Sequence, residues 1–269
     1  MERLIDAEHL RADAYSDPSR LRARRELYRN TEPSIELVEW ALELVEDIPR
    51  QALDISCGEG TGTRSLHRRG LQVTSIDLSM AMVREASRHG TPGVCADVQE
   101  LPIAPGSTTF ILAAHILYHA PQIEEATFEI WCVLAPGGRL VATTNSQGMA
   151  VHDLLADAVY SRLGVGTYPR WVVHDRFCSE NGEELLRAAF DEVRAEHLDV
   201  KVSVDNPGVV VGYLQSLEPS LRGSFPSHLW APCLEDVRSR VAQDVEALGS
   251  FTFTKRTTAF IATTQCNPA

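Results

Sequence analysis

Between Gln51 and Ser146 five short apolar runs succeed one another: ALDI, VTSID, GVCAD, TFILAAHIL and RLVATTNS. Helical stretches lie among them. One reaches Leu66, SMAMVREASRHG is stopped by Gly90, and IEEATFEIWCVL stops at APGG. Glycine ends a helix readily because it takes the left-handed conformation without steric cost. Strands that alternate with helices require right-handed crossovers, and so a mainly parallel sheet with helices on its faces. The expected class is therefore α/β.

The rest of the chain attaches to that unit. Residues 1–50 read as polar helices in which Leu21, Leu27 and Tyr28 sit among arginines. After Pro33 a better helix carries Ile35, Val38, Leu42 and Val45 on one apolar face. Residues 146–190 are less regular. They hold a helix through Val151, Leu154, Leu155 and Val159, the run GVGTYPRWVVHDRF, and a helix through Leu185, Leu186 and Phe190. The tail has two strand-like runs, AEHLDVKVSV and SFTFTKRTTAFIATT, with helices through Tyr213–Leu217 and Leu234–Leu248 between them. Two closing strands after a parallel set make an antiparallel edge. The expectation is one domain over 1–269, with 1–50 as a helical lid and 146–190 as an inserted cap. A chain of 269 residues suits one elaborated domain, with a core that needs no metal or disulfide staples.

The first apolar run ends in LDISCGEGTGTRSL, where Gly58, Gly60 and Gly62 precede a helix beginning near Thr63. Glycine lets backbone approach a ligand closely, and the helix start offers free N–H donors. Such a turn also serves packing alone. Three details sharpen it. Thr63 occupies the place of the third glycine of the dinucleotide fingerprint, which opposes NAD. Glu59 inside the loop is a poor neighbour for a pyrophosphate but tolerable beside a cation. The second run ends in Asp77, placed to accept both hydroxyls of a ribose, and the third ends in Asp97, placed to accept from an exocyclic amine. A single such acid is ordinary turn chemistry. Two at successive strand ends after a glycine loop point to a ligand.

A ribose, an adenine amine and no demand for phosphates describe S-adenosylmethionine, and here the sequence resembles a known family. LDISCGEGTG, SIDLSMAMVREA, ADVQELPI, HILYHAP and VLAPGGRLVATTNS are similar to the motifs of class I S-adenosylmethionine-dependent methyltransferases of bacterial small-molecule and natural-product pathways, over about residues 34–264. The resemblance implies a Rossmann-like seven-stranded sheet, order 3-2-1-4-5-7-6 with strand 7 antiparallel. It implies that Gly58 and Gly60 face the methionine part of the cofactor, with Ser56 beside them where the family usually has a glycine. Asp77 would hold the ribose, Leu78 and Met82 would lie near the adenine, and Asp97 with the Val98 backbone would meet the adenine edge. Ala114 and His115 would close over the cofactor. Thr108-Thr109 also depart from the family pattern, which usually has Phe-Asp there. S-adenosylhomocysteine would be the product.

Ligands of parallel α/β sheets gather beyond the carboxyl ends of the strands. AAHILYHAP leaves the fourth strand there, so His115, Tyr118 and His119 are the candidate catalytic residues. In-line methyl transfer depends mostly on alignment, and a base is useful when the nucleophile is a hydroxyl. Histidine titrates in the right range, which singles out His119. The same HxxxH spacing also caps a helix start, and it lacks the further ligands a metal would need. Thr144 and Asn145 end the fifth strand and are candidate substrate contacts, although Asn before Ser-Gln-Gly is also turn chemistry. Tyr168, Trp171, His174, Phe177 and Trp230, with Tyr15 and Tyr28, are candidates to line a cleft for a ring-bearing acceptor; core packing accounts for such residues equally.

Composition excludes other partners. The chain has 25 Lys+Arg against 37 Asp+Glu, a net charge of −12, which opposes a nucleic-acid or anionic-lipid surface. The six cysteines, Cys57, Cys95, Cys132, Cys178, Cys233 and Cys266, are widely spaced and read as reduced thiols of a cytoplasmic protein. No signal peptide and no apolar run of membrane-spanning length is visible. The leading expectation is methyl transfer from S-adenosylmethionine to an oxygen or nitrogen of a small molecule. The alternatives are a non-methylating reaction such as ring closure on the same fold, and a non-catalytic adenosyl-ligand-binding protein.

Overall fold

The structure, a computed structural model, describes residues 5–6, 10, 18–88, 90–166, 173–221 and 223–265. Its strands are β1 (Thr31–Glu32), β2 (Gln51–Ile55), β3 (Gln72–Asp77), β4 (Gly93–Cys95), β5 (Thr108–Ala114), β6 (Leu134–Asn145), β7 (Glu192–Val204) and β8 (Phe251–Thr263). They form one sheet in the order β4-β3-β2-β5-β6-β8-β7-β1. Strands β2 to β6 pair in parallel, while β8 runs antiparallel to both β6 and β7. Counted from β2, this is the expected order with its antiparallel last strand. The strand count is a correction: the sheet has eight strands rather than seven, because Thr31–Glu32 adds to the free edge of β7 opposite Val202 and Lys201.

The continuous apolar runs follow from burial on both faces of the sheet. Along β5, Ile111 and Ala113 enter one core with Leu53, Leu140 and Phe260, while Phe110 and Leu112 enter another with Ala52, Val141 and Ile261. Helices α5 (Ile123–Val133) and α7 (Gly182–Arg187) cover the first face through Ile130 and Leu186. Helices α2 (Leu37–Glu43) and α3 (Thr61–Arg68) cover the second through Leu42 and Leu66. Between β3 and β4 runs α4 (Met80–Ser87).

A third core lies beyond the sheet. Helices α6 (Ala150–Leu163), α8 (Pro207–Leu221) and α9 (Trp230–Leu248) pack on one another and on the far ends of β7 and β8. Val151, Val159, Val210, Leu214, Val237 and Val241 meet Val202, Phe251 and Phe253 there. Leu27, just after helix α1 (Pro18–Glu26), joins the same core. Within 146–190, α6 belongs to this layer, whereas Phe177, Leu186 and Phe190 belong to the first sheet core.

Candidate functional site

The carboxyl ends of β2, β3, β5 and β6 and the helical layer enclose a cavity of about 450 Å³. One side is the sheet edge with Ser56, Gly58, Asp77, Leu78, Asp97, Val98, Ala114 and His115. The other carries Tyr28, Met149, His152, Tyr213, Leu217 and Lys255.

The turn after β2 is built by left-handed backbone. Ser56 (φ +61°), Gly58 (φ +51°) and Gly60 (φ +79°) all take positive φ. At Gly58 a Cβ would stand 3.2 Å from the Leu21 side chain of α1, so the bare backbone lets that helix close on the loop. Ser56 adopts the same conformation without the glycine that the family usually has there. Glu59 does not approach the cavity as a lone carboxylate. It is nearly buried and accepts from Arg22 Nε (2.8 Å) and Arg25 Nη1 (3.0 Å), tying α1 to the loop.

Two acids stand behind and beside this turn. Asp77 Oδ2 accepts from the Gly58 amide (3.0 Å) and Oδ1 from the Ser79 amide (2.8 Å). Burial raises its pKa, and these two backbone donors oppose the rise. A carboxylate has about four lone-pair sites, so capacity for two further donors remains. Asp54, at the end of β2, is buried and takes a 2.6 Å hydrogen bond from Thr63 Oγ1, whose oxygen also lies 2.8 Å from Ser75 Oγ. Burial pushes the Asp54 carboxyl up to about 7, against the Thr63 hydrogen bonds, and neighbouring Asp77 adds to the rise. Thr63 thus has a definite task in place of the missing third glycine. Asp97 is half-buried on the cavity wall, with Oδ1 accepting from the Gln99 amide (3.0 Å).

His115, Tyr118 and His119 all line the cavity. His115 has φ +57° and donates its amide to Thr143 O (3.0 Å), which turns the chain out of β5. Tyr118 and His119 then sit in a short 3₁₀ turn, with ring centroids 4.6 Å apart and His119 buried. Arg176 clamps this turn by donating to the carbonyls of Tyr118 (2.9 Å), Ala120 (2.6 Å) and Pro121 (2.8 Å).

Other expectations fall elsewhere. Gly60 and Met82 lie outside the cavity lining: Gly60 abuts Ala86 of α4, and Met82 is fully buried. Thr144 is fully buried and donates to Phe177 O (2.6 Å), so it fastens two segments; its neighbours Thr143 and Asn145 line the cavity instead. Phe177 packs edge-on against Phe260 in the core, and Trp230 stacks on Phe225. Tyr28 does line the cavity. Tyr15, Tyr168 and Trp171 lie outside the described residues, as does the His174 side chain. Among the described residues no group of His, Cys, Asp and Glu has a metal-holding arrangement. The five described cysteines, Cys57, Cys95, Cys132, Cys178 and Cys233, are free thiols. No helix among the described residues is long and apolar enough to cross a membrane.

Five wall or support residues escaped the sequence reading. Asp54 and Arg176 look like ordinary strand-end and surface residues, and their partners are distant in the chain. His152 and Tyr213 share a 3.0 Å hydrogen bond across 61 positions. Lys255 left a readable trace: in FTFTKRTTAFIA it falls on the alternation that carries Phe251, Phe253, Thr257 and Ala259, all buried. A charge in the inward phase of a strand is a signal in itself.

The family described as a methyltransferase domain matches residues 53–142, from the middle of β2 into β6. A malonyl-[acyl-carrier protein] O-methyltransferase of Methylovorus sp. (strain MP688) is 28% identical over 194 residues, which are 66% of this chain and 61% of that relative. The chain spans less than two thirds of the length of such curated relatives. A structure of Haemonchus contortus phosphoethanolamine N-methyltransferase 2 with S-adenosyl-L-methionine superposes with a TM-score of 0.56 at 16% identity, covering 96% of this chain and 59% of that one. The [4+2]-cyclase SpnF superposes with a TM-score of 0.51 at 21% identity, covering 86% of this chain and 80% of its own. Both structures share the fold.

Proposed function

We propose that this chain, a member of the class I S-adenosylmethionine-dependent methyltransferase family, binds S-adenosylmethionine against the sheet edge of the cavity and transfers its methyl group to an oxygen or nitrogen of a small acceptor held under the helical layer. The observation that carries this reading is Asp77. Its carboxylate is fixed by the Gly58 and Ser79 amides, lines the cavity, and retains acceptor capacity for a ribose diol. The bare Gly58 backbone fits a ligand lying close to the turn, and the pairing of Glu59 with two arginines leaves the loop without a free charge.

Bound there, S-adenosylmethionine supplies a methyl group activated by the sulfonium. The chain supplies the rest. Asp77 accepts from the ribose hydroxyls. Asp97 and the Val98 backbone take the adenine edge, with Leu78 against the ring. Ser56 and Gly58 border the methionine part, and Ala114 and His115 close the wall beside it. Gly60 and Met82 act from behind, by shaping the turn and its helix. Alignment of acceptor and methyl within the cavity accounts for most of the rate. For a hydroxyl acceptor His119 takes the departing proton.

The helices that roof the cavity serve as its lid and cap, keeping water from the reacting atoms. That the similar proteins described above are an O-methyltransferase and an N-methyltransferase supports oxygen or nitrogen as acceptor. The aromatic and apolar wall supports a ring-bearing acceptor of natural-product biosynthesis, and the free thiols fit a reducing, cytoplasmic setting. The test is to incubate cell extract with the protein and methyl-labelled S-adenosylmethionine. A labelled small molecule with stoichiometric S-adenosylhomocysteine is expected. An unlabelled, cyclised isomer of an extract component, formed without cofactor turnover, would replace methyl transfer with ring closure.

A further inference from the structure

The chain has 25 basic residues, of which two are lysines, Lys201 and Lys255. Lys201 is exposed on β7. Lys255 is 6% exposed and lines the cavity. Its Nζ lies 4.0 Å from the centre of the Tyr28 ring, and among the described residues it has no hydrogen-bond or ion-pair partner. The other cations on the wall are engaged: Arg25 pairs with Glu59 at 3.0 Å, and Arg24 donates to Ser216 at 3.2 and 3.0 Å. Glu36, Asp54, Glu59, Asp77 and Asp97 also line the cavity, yet none reaches Lys255 as an ion pair.

Taking an ammonium out of water without a counter-charge is costly, and the face of one tyrosine offsets only part of that cost. An apolar residue would extend the row of Phe251 and Phe253 and pack with the third core, so stability does not explain a lysine here. Function does. Tyr28 faces the ammonium, and Met149, His152, Tyr213 and Leu217 line the same cavity, so its wall offers aromatic rings and apolar surface that suit an apolar or aromatic body. What such a wall lacks is a negative charge.

We propose that Lys255 anchors the acceptor by an ion pair with a carboxylate that the acceptor carries, so that the cavity selects small apolar or ring-bearing carboxylic acids. The inference rests on the reading of the cavity as a methyl-transfer site. Burial draws the Lys255 pKa down to about 8, and a bound carboxylate would hold the ammonium charged. A lysine suits this task better than an arginine, because its compact charge on a flexible stem adapts to where the carboxylate comes to rest.

With two lysines, protein labelled with carbon-13 lysine gives two ε-carbon signals, one of them the exposed internal reference Lys201. The probes are acetate, benzoate and 3-phenylpropionate, each titrated against its primary amide, with and without S-adenosylhomocysteine. The carboxylates of the ring-bearing pairs should shift the Lys255 signal and bind about tenfold or more tighter than their amides, the range of a charge-assisted contact. Lys255→Met should lose that preference, keep its affinity for S-adenosylhomocysteine, and melt no lower than the parent. Equal binding of acid and amide, a Lys255 signal that no carboxylate moves, a preference that survives in Lys255→Met, or a lower melting temperature of that variant would each overturn the proposal. The titration without S-adenosylhomocysteine reads Lys255 even where the cofactor fails to bind, so this proposal and the methyl-transfer reading fail separately.

Discussion

Asp54 and His119 are buried titratable groups in one cavity, and each bears on a different measurement. Burial raises the folded-state pKa of Asp54 to about 7, above that of an unfolded aspartate. The folded protein therefore binds a proton that the unfolded chain has already released. Stability from this group is fully present below the unfolded value and is lost as pH rises through about 7. Asp54→Asn keeps an oxygen for Thr63 and has no proton to lose. Its melting temperature should thus fall less than that of the parent between about pH 5 and about pH 8. Parallel melting curves for parent and variant over that window would show that Asp54 is ionised throughout. His119 bears on the rate. With a hydroxyl acceptor, His119→Ala should lower single-turnover methyl transfer by about 10²–10⁴-fold and leave S-adenosylhomocysteine affinity nearly unchanged. A variant with full rate and the same pH profile would leave His119 as a packing residue of its 3₁₀ turn.

The glycine turn and α1 behave as one element. The turn was legible in sequence, because three glycines after an apolar run leave few other structures. The partner of Glu59 was not, because Arg22 and Arg25 lie 37 and 34 positions away and nothing local marks the contact. The same reason hid Arg176, which holds the 3₁₀ turn from more than 50 positions away. Thr144 was misread because strand-end position alone does not say which side a side chain takes. Both arginines of the Glu59 cluster are about half exposed, so their ion pairs add little to global stability. Their effect is local. Glu59→Gln should speed hydrogen exchange of amides in α1 while those of β2 and β5 stay protected, with the melting temperature shifted slightly. Unchanged exchange in α1 would mean that Leu21 and its neighbours hold the helix without the ion pairs.

At the scale of the whole molecule, the alternation of apolar runs with helical stretches conveyed a mainly parallel sheet, while the order of its seven main strands was legible only through the resemblance to the methyltransferase family. The eighth strand was invisible: two residues, Thr31 and Glu32, have no periodicity to read. The helical layer was only partly visible, since α6, α8 and α9 come from separate stretches and meet through tertiary packing alone. That layer matters to the central claim, because it roofs the sheet edge and so makes a cavity with Asp77 on one wall. The direct test is calorimetric titration of parent and Asp77→Ala with S-adenosylhomocysteine and with NAD. The parent should bind S-adenosylhomocysteine one to one and NAD not at all. Asp77→Ala should remain folded and bind more weakly by roughly 1.5–3 kcal/mol for each ribose hydrogen bond lost. NAD binding without S-adenosylhomocysteine binding, or an unchanged dissociation constant in folded Asp77→Ala, would contradict the account.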